Sequence, residues 1–189
     1  MADFSAFRPQ MPDMAAMTDR ARRWAPLPDW GTARLHGSGW SVRRIEGLGQ
    51  TLVSGDLSAA IAELSPGVPS IGLWAIAERP DYAVTIARDR CLLVQPSSST
   101  GAPVRHGAGF VATRADDVFA VLDIEGEGLA DLAAELTSAD LAAHSPSAAT
   151  LVCGIFGLLY RTGTDCARIH VEAAHAAYVW RWLETRPAA

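Results

Sequence analysis

The stretch ARIHVEAAHAAYVWRWL, residues 167–183, decides how the end of the chain folds. Ile169 and Val171 alternate with polar residues, which is the two-residue period of a half-buried strand. Further along, the apolar positions change to helical spacing, and Tyr178 and Trp182 fall about one turn apart on one face. The sequence therefore predicts a short strand that runs directly into an amphipathic helix.

Aromatic side chains are concentrated near both ends of the chain. Trp180 and Trp182 are two positions apart, so they point to different sides of a helix and one of them needs a second surface to pack on. Trp24 and Trp30 lie in or beside a proline-rich stretch, where exposed rings would be costly without cover. Such surplus aromatic surface is typical of protein interfaces. The predicted partner interface consists of Trp24, Trp30, Tyr178, Trp180 and Trp182.

Composition limits the class of protein. With 189 residues, of which 49% are hydrophobic, the chain can bury a proper core as one domain or two closely packed lobes. The net charge of −5 argues against nucleic-acid binding by bulk electrostatics, and three cysteines fit a reducing compartment better than a disulfide scaffold. The N-terminus does not resemble a secretory signal, and no apolar run approaches bilayer-spanning length. We therefore expect a cytoplasmic protein.

Strands and helices alternate in both halves of the chain, which predicts an α+β fold with antiparallel sheets backed by helices. We expect an extended N-terminal arm over residues 1–31, a first α+β lobe over 32–114, and a second α+β lobe over 115–189 that ends in the C-terminal helix. No sequence repeat is evident between the two lobes. The predicted strands cover 40–45, 50–53, 71–77, 82–87, 91–94, 116–124, 150–155, 157–161 and 166–171. The predicted helices before the last one cover 13–23 in the N-terminal arm, 57–64, 128–136 and 138–144.

A glycine-containing turn at 125–128 follows a predicted strand and opens a predicted helix, as a dinucleotide-binding loop would. Glu125 and Glu127 would repel a pyrophosphate there, whereas acidic residues stabilise the start of a helix. We therefore interpret this segment as a structural turn.

Three potential metal ligands, Cys166, His170 and His175, lie close together in the sequence. A structural zinc site usually closes with four ligands, and neither a Cys pair nor a His-x-x-x-His motif is present. Partly buried polar residues are the simpler interpretation. No catalytic, cofactor-binding or metal-binding residue is therefore predicted in this chain.

Several segments in the second half resemble one known family. Tyr178-Val-Trp180-Arg-Trp182-Leu183 is similar to the pattern Y-L-W-x-W-L that closes the gamma-type subunit of heterotetrameric sarcosine oxidase. The segment 153–161, CGIFGLLYR, resembles that family's A-G-I-x-x-L-L-x-R, and Asp140-Leu141 stands where the family has a D-L pair. Its Arg-Ser-Phe and Gly-Cys pieces are absent here. The match covers about residues 115–185.

This resemblance implies a fold of two similar βαβ-type lobes, like that of the folate-binding aminomethyltransferases. It also implies an accessory, non-catalytic subunit of a heteromeric amine oxidase or demethylase, packed against the folate-binding lobe of a large subunit. The partner chains would be that large dinucleotide- and folate-binding subunit and a flavin oxidase subunit. FAD, FMN, NAD, tetrahydrofolate and zinc would belong to the partner chains, with no cofactor in this one.

A second reading stays open from the same resemblance. The chain could be a free-standing folate-binding or one-carbon-transfer protein of the same fold. That reading predicts a deep apolar cavity with a carboxylate at its base.

Overall fold

The computed structural model describes residues 27–98 and 102–186. Trp24 and most of the predicted arm, including its predicted helix over 13–23, therefore lie outside the described residues. The strands, in chain order, are β1 Arg34–Gly37, β2 Trp40–Ile45, β3 Gly49–Gly55, β4 Ser70–Ile71, β5 Tyr82–Ala87, β6 Arg90–Gln95, β7 Val104–His106, β8 Phe110–Arg114, β9 Phe119–Glu125, β10 Ala149–Val152, β11 Ile155–Gly163 and β12 Cys166–Glu172. The α-helices are α1 Leu57–Leu64, α2 Leu129–Leu136 and α3 Ala176–Glu184, and short 3-10 turns lie at Leu141–Ala143 and Ala173–His175.

The described strands form two six-stranded sheets. Sheet A has the order β1-β2-β9-β12-β11-β10, and all its neighbours are antiparallel. Sheet B has the order β4-β5-β6-β3-β8-β7, and its pairs are antiparallel except for the short parallel pair of β4 with β5. The prediction of an α+β fold is thus confirmed: the described residues form one antiparallel and one mixed sheet with few helices.

The two sheets stack face to face between two helical layers. Leu92 and Val94 of sheet B pack against Leu158 and Tyr160 of sheet A in the layer between the sheets. The outer face of sheet A is covered by α2 and α3, and the outer face of sheet B is covered by α1. The alternation of residues in β12 explains its place between the helices and sheet B. Ile169 and the residues two positions before and after it face the helices, so the residues between them face sheet B.

Local sequence signals set the helix ends. Asp56 caps α1, because its side chain accepts a hydrogen bond from the Ala59 amide at 3.0 Å. Asp140 caps the 3-10 turn in the same way, with the Ala142 amide donating at 2.9 Å. The predicted helix over 138–144 is only this turn.

The twelve strands of the described residues form two similar arrangements, which differ in one pair: β4–β5 is parallel, and its equivalent β10–β11 is antiparallel. Each repeat unit contains a β-hairpin, a strand, a helix and three more strands: β1 to β6 with α1 in the first unit, and β7 to β12 with α2 in the second. When each element is matched to its equivalent, the strand order of sheet A reproduces that of sheet B. The hairpin of each unit is exchanged, since β1-β2 pairs with β9 of the second unit and β7-β8 pairs with β3 of the first.

The two exchanged hairpins share a short sequence motif that sequence inspection missed. Residues 36–40 read His-Gly-Ser-Gly-Trp, and residues 106–110 read His-Gly-Ala-Gly-Phe. In both hairpins the second glycine has a positive φ, 70° at Gly39 and 81° at Gly109, which an L side chain rarely adopts. The following aromatic ring folds back over the first glycine, at Gly37 and Gly107, where a Cβ atom would collide with it. A repeat of five residues is too short to be recognised between two halves of a chain whose sequences are otherwise unrelated.

Several other segments differ from the sequence-based expectation. The predicted strand over 71–77 is wrong apart from its first residue, because Trp74 has a φ of 60° and the chain turns away after Ile71. Strands β1, β7 and β8 are not among the predicted strands. Strands β1 and β2 share a sheet with β9 to β12, so the pairing crosses the predicted boundary at 114/115; the division into lobes stays a prediction.

Candidate functional site at the junction of the sheets

A chain of polar side chains crosses the apolar layer between the two sheets. His170 and Tyr160 enter it from sheet A, and Gln50 and Tyr82 enter it from sheet B. All four are buried. Buried polar groups are costly unless they are hydrogen-bonded, so their partners decide whether this cluster stabilises the fold.

Each member of the cluster bonds to the next. The Tyr82 hydroxyl lies 2.9 Å from the Tyr160 hydroxyl, which lies 2.7 Å from Nε2 of His170. Nδ1 of His170 lies 2.8 Å from Oε1 of Gln50. Arg168 extends the chain at the other end, because its Nη1 donates to the Tyr82 hydroxyl at 2.9 Å. The hydrogen bonds at both ends of this polar chain, Arg168 to Tyr82 and His170 to Gln50, therefore connect sheet A to sheet B.

The two ends fix the direction of every hydrogen bond. Arg168 can only donate, so Tyr82 accepts from it and gives its own proton to Tyr160. At the far end, Nε2 of Gln50 donates to the carbonyl oxygens of Asp116 and Phe119, at 3.3 and 3.2 Å. The Gln50 oxygen is therefore the acceptor for His170. It follows that His170 carries its proton on Nδ1 and accepts from Tyr160 at Nε2.

An ion pair anchors the arginine end. Nε and Nη2 of Arg168 donate to the two carboxylate oxygens of Asp123, at 2.6 and 2.8 Å. Burial opposes the charge on Arg168, but the hydrogen bonds and negative charge of Asp123 outweigh it and raise the pKa of the guanidinium. Both oxygens of the buried Asp123 carboxylate therefore accept hydrogen bonds from Arg168.

Burial keeps the remaining groups neutral. It raises the pKa of Tyr160 well above its ordinary value, and the charge of Arg168 only partly offsets this. Burial, with a smaller contribution from the Arg168 charge, lowers the pKa of His170 from 6.5 to about 3. Since both His170 nitrogens are engaged and the ring resists protonation, this histidine is poorly suited to general acid–base catalysis. The arrangement instead ties the two sheets together.

An open depression of about 340 Å³ lies at the arginine end of the chain. Arg168 and Tyr82 line it together with Leu48, Ala77, Arg79, Pro80, Pro96 and Thr162. The buried chain thus reaches the surface where the two sheets meet.

The three potential metal ligands are not brought together. His170 spends both ring nitrogens on Tyr160 and Gln50, and His175 lies beyond the end of β12, 3.8 Å from Glu172. Within residues 27–98 and 102–186, no three His, Cys, Asp or Glu residues form a group that could hold a metal ion.

The predicted interface aromatics occupy different environments. Trp180 is only 2% exposed and belongs to the core between α3 and sheet A. The half-buried Trp30 packs edge-on against it at 5.3 Å between ring centroids, and the Arg44 guanidinium lies 5.3 Å from the Trp30 ring. Trp180 thus offers no surface to a partner in this conformation.

Tyr178 and Trp182 lie nearer the surface. Tyr178 is 49% exposed, and its hydroxyl donates to the Cys153 carbonyl at 2.8 Å. Trp182 is half-buried beneath the Arg186 guanidinium, which lies 3.8 Å from its ring. Leu151 and Phe156 are cross-strand neighbours beside the same β10-β11 turn and are 57% and 42% exposed. We call Leu151, Phe156 and Tyr178 the apolar tip.

Sequence reasoning missed most of the polar chain. Its members come from strands that are far apart in sequence, since Gln50 and His170 are 120 positions apart. One local signal existed. Arg168 and His170 alternate with Ala167, Ile169 and Val171 in β12, and a buried strand with polar residues on one face needs polar partners on the facing sheet.

None of the helices in the described part of the chain is both long and apolar enough to cross a bilayer.

Comparisons with known proteins give a match in structure. No protein-family model matches the sequence. No curated protein matches it either. A chain of the heterotetrameric sarcosine oxidase from Corynebacterium sp. U-96, solved in complex with pyrrole 2-carboxylate, superposes with a TM-score of 0.62. Sequence identity is 19%, and the match covers 78% of this chain and 85% of that chain. Identity this low shows a shared fold.

Proposed function

We propose that this chain is an accessory, non-catalytic subunit of a heteromeric sarcosine oxidase-like amine oxidase complex, of the gamma type. It packs against the folate-binding lobe of a large subunit in the cytoplasm. In this proposal FAD, FMN, NAD, tetrahydrofolate and zinc belong to the partner chains, and the flavin oxidase subunit carries out the oxidation.

One observation carries the proposal: a chain of a heterotetrameric sarcosine oxidase has the same fold over most of both chains. The order of sequence signals across 115–185, ending in Tyr178-Val-Trp180-Arg-Trp182-Leu183, points to the same family. Fold alone does not determine function, so the proposal also needs a surface that a partner could cover.

The apolar tip, with the neighbouring Trp182, is such a surface. Large aromatic and aliphatic side chains that stay exposed in a single chain are typical of the centre of protein interfaces. Among the predicted interface residues, Tyr178 is exposed, Trp30 and Trp182 are partly buried against the core, and Trp180 belongs to the core. Trp24 lies outside the described residues.

Co-expression tests the proposal. The tagged chain is produced with the large folate-binding and flavin oxidase subunits encoded in the same genome, and the mass of the product is measured by size-exclusion chromatography with light scattering. We expect a stable heteromeric complex. Tyr178→Asp should weaken it, whereas Val111→Asp, which places the same charge on exposed strand β8, should leave it intact. A chain that elutes alone in the presence of both subunits would contradict the proposal.

The alternative, a free-standing folate-binding or one-carbon-transfer protein, needs an accessible carboxylate in an apolar cavity. The buried carboxylate at the sheet junction, Asp123, is bound through both oxygens by Arg168. Calorimetry of the isolated chain with tetrahydrofolate distinguishes the two proposals, because only the alternative predicts binding without a partner.

A further inference from the structure

We propose that the depression beside Arg168 and Tyr82 binds a small monocarboxylate with an apolar body. This site is separate from the apolar tip and does not depend on assembly of a complex.

The donor set of Arg168 is the first argument. A guanidinium has five N–H groups, and three of them are used by Asp123 and the Tyr82 hydroxyl. The other two have no acceptor among residues 27–98 and 102–186. Its ion pair and hydrogen bonds hold this side chain in place, so it loses little conformational entropy when a ligand binds. A carboxylate can accept two hydrogen bonds from one guanidinium.

The charges around the depression disfavour a dianion relative to a monoanion. Arg168 is balanced by Asp123, and Arg79 is balanced by Asp81, whose carboxylate lies 3.1 Å away. The four groups sum to zero. A dianion such as a phosphate monoester would bring two charges into a neutral site, whereas a single carboxylate brings one and places it directly on the guanidinium.

The walls select an apolar body. Leu48, Ala77, Pro80 and Pro96 line the depression and offer aliphatic surface, and neither proline has an N–H group to donate. Tyr82 contributes only a small part of the wall, since it is 3% exposed and its hydroxyl is bonded on the inner side. The open depression of about 340 Å³ has room for a molecule about the size of one ring and one carboxylate.

Titration of the full-length, ¹⁵N-labelled chain with benzoate tests this site by NMR. We expect saturable shifts confined to the amides around Leu48, Ala77, Thr162 and Arg168. Benzamide has the same ring without the charge and acetate has the charge without the ring, so each should bind at least about tenfold more weakly.

Two matched variants locate the binding. Pro96→Trp fills the depression from an exposed loop position and should abolish the benzoate shifts. Pro103→Trp makes the same change at another exposed proline and should leave them unchanged. Neither substitution touches the Asp123–Arg168 ion pair, so both chains should fold.

Three results would overturn the proposal: no saturable shift up to about 10 mM benzoate, benzamide binding as tightly as benzoate, or unchanged benzoate binding in the Pro96→Trp variant. None of them bears on whether the chain assembles with partner subunits.

Discussion

Tyr160 donates a hydrogen bond of 2.7 Å to Nε2 of His170, and the two rings stack with their centroids 5.6 Å apart. The residues come from adjacent strands of sheet A, yet each reaches a different residue of sheet B. Tyr160 bonds to Tyr82, and His170 bonds to Gln50. This pair therefore connects the two halves of the buried hydrogen-bonded chain, and loss of either residue should weaken the packing of sheet A on sheet B.

Replacing Tyr160 by Phe should lower the free energy of unfolding by about 1–3 kcal/mol, because Nε2 of His170 is left without a donor where water is excluded. Urea denaturation measures the change. Tyr178→Phe is the matched control: its hydroxyl bonds to the Cys153 carbonyl at a half-exposed site, so its loss should cost about 0.5–1 kcal/mol. If the two substitutions lowered the free energy of unfolding equally, the buried hydrogen bond of Tyr160 would stabilise the fold no more than the half-exposed one of Tyr178.

The pKa of His170 predicts acid sensitivity. It is about 3 in the folded chain against an ordinary value of 6.5, so below 6.5 the unfolded chain takes up a proton that the folded chain refuses. The free energy of unfolding should therefore fall by about 1.4 kcal/mol per pH unit from this residue alone as the pH drops from 6.5 towards 3. Above pH 6.5 the contribution is fully present.

Urea denaturation at several pH values checks this slope. His170→Gln removes the titrating group while keeping a side chain that can donate and accept, and it should flatten the slope by about one proton between pH 4 and 6. His175→Gln, at an exposed position, controls for the loss of a histidine. If His170→Gln kept the wild-type slope, the burial of neutral His170 would not be the cause of the loss of stability at low pH.

Local signals made much of the secondary structure predictable. The aspartate before α1 and the alternation in β12 each depend on a few neighbouring residues, and both elements appear where expected. The prediction of a strand at 71–77 failed for a physical reason. Its residues are apolar because Leu73 packs in the core between sheet A and its helices while Ile71 and Ala77 pack in the layer between the sheets, and a left-handed residue at Trp74 interrupts the extended backbone.

The arrangement of the sheets could not be predicted in this way. Strands β2 and β3 are separated by three residues around Gly47, yet they belong to different sheets. Alternating apolar residues show that a strand has a buried face but not which strand lies beside it. The exchanged hairpins and the polar chain both depend on such long-range pairing. For the same reason, helical spacing alone does not show that Trp180 is buried, because its cover comes from sheet A and from Trp30.

The exchanged hairpins predict two equivalent weak points at Gly55 and Gly126. Both have positive φ, 111° and 134°, and a Cβ atom would collide with the backbone of the other unit's hairpin, at the Gly109 and Gly39 carbonyls. We expect Gly55→Ala and Gly126→Ala each to cost about 3 kcal/mol or more, because backbone atoms cannot yield cheaply.

Gly47→Ala is the control for these two variants. Gly47 also has a positive φ, 80°, but nothing lies within 4 Å of its missing Cβ atom, so only backbone strain of about 1 kcal/mol is expected. Thermal and urea unfolding measure all three. If Gly55→Ala and Gly126→Ala cost no more than Gly47→Ala, the hairpins do not approach the sheets as closely as described.

The two surface-proximal tryptophans should behave differently when each is replaced by Ala. Trp30 packs on the Trp180 ring and under Arg44, so Trp30→Ala should destabilise the isolated chain by about 2–3 kcal/mol. Trp182 packs against the same core and under the Arg186 guanidinium, which also pairs with Glu135, but it stacks on no other aromatic ring among the described residues. Trp182→Ala should therefore cost the isolated chain only about 1 kcal/mol. In the proposed complex the order reverses, because a ring that the chain itself covers incompletely gains the most from a partner. Unfolding of the isolated variants and co-purification with the large subunit measure the two effects. The interface assignment would be wrong if Trp182→Ala destabilised the isolated chain as much as Trp30→Ala and left the complex unaffected.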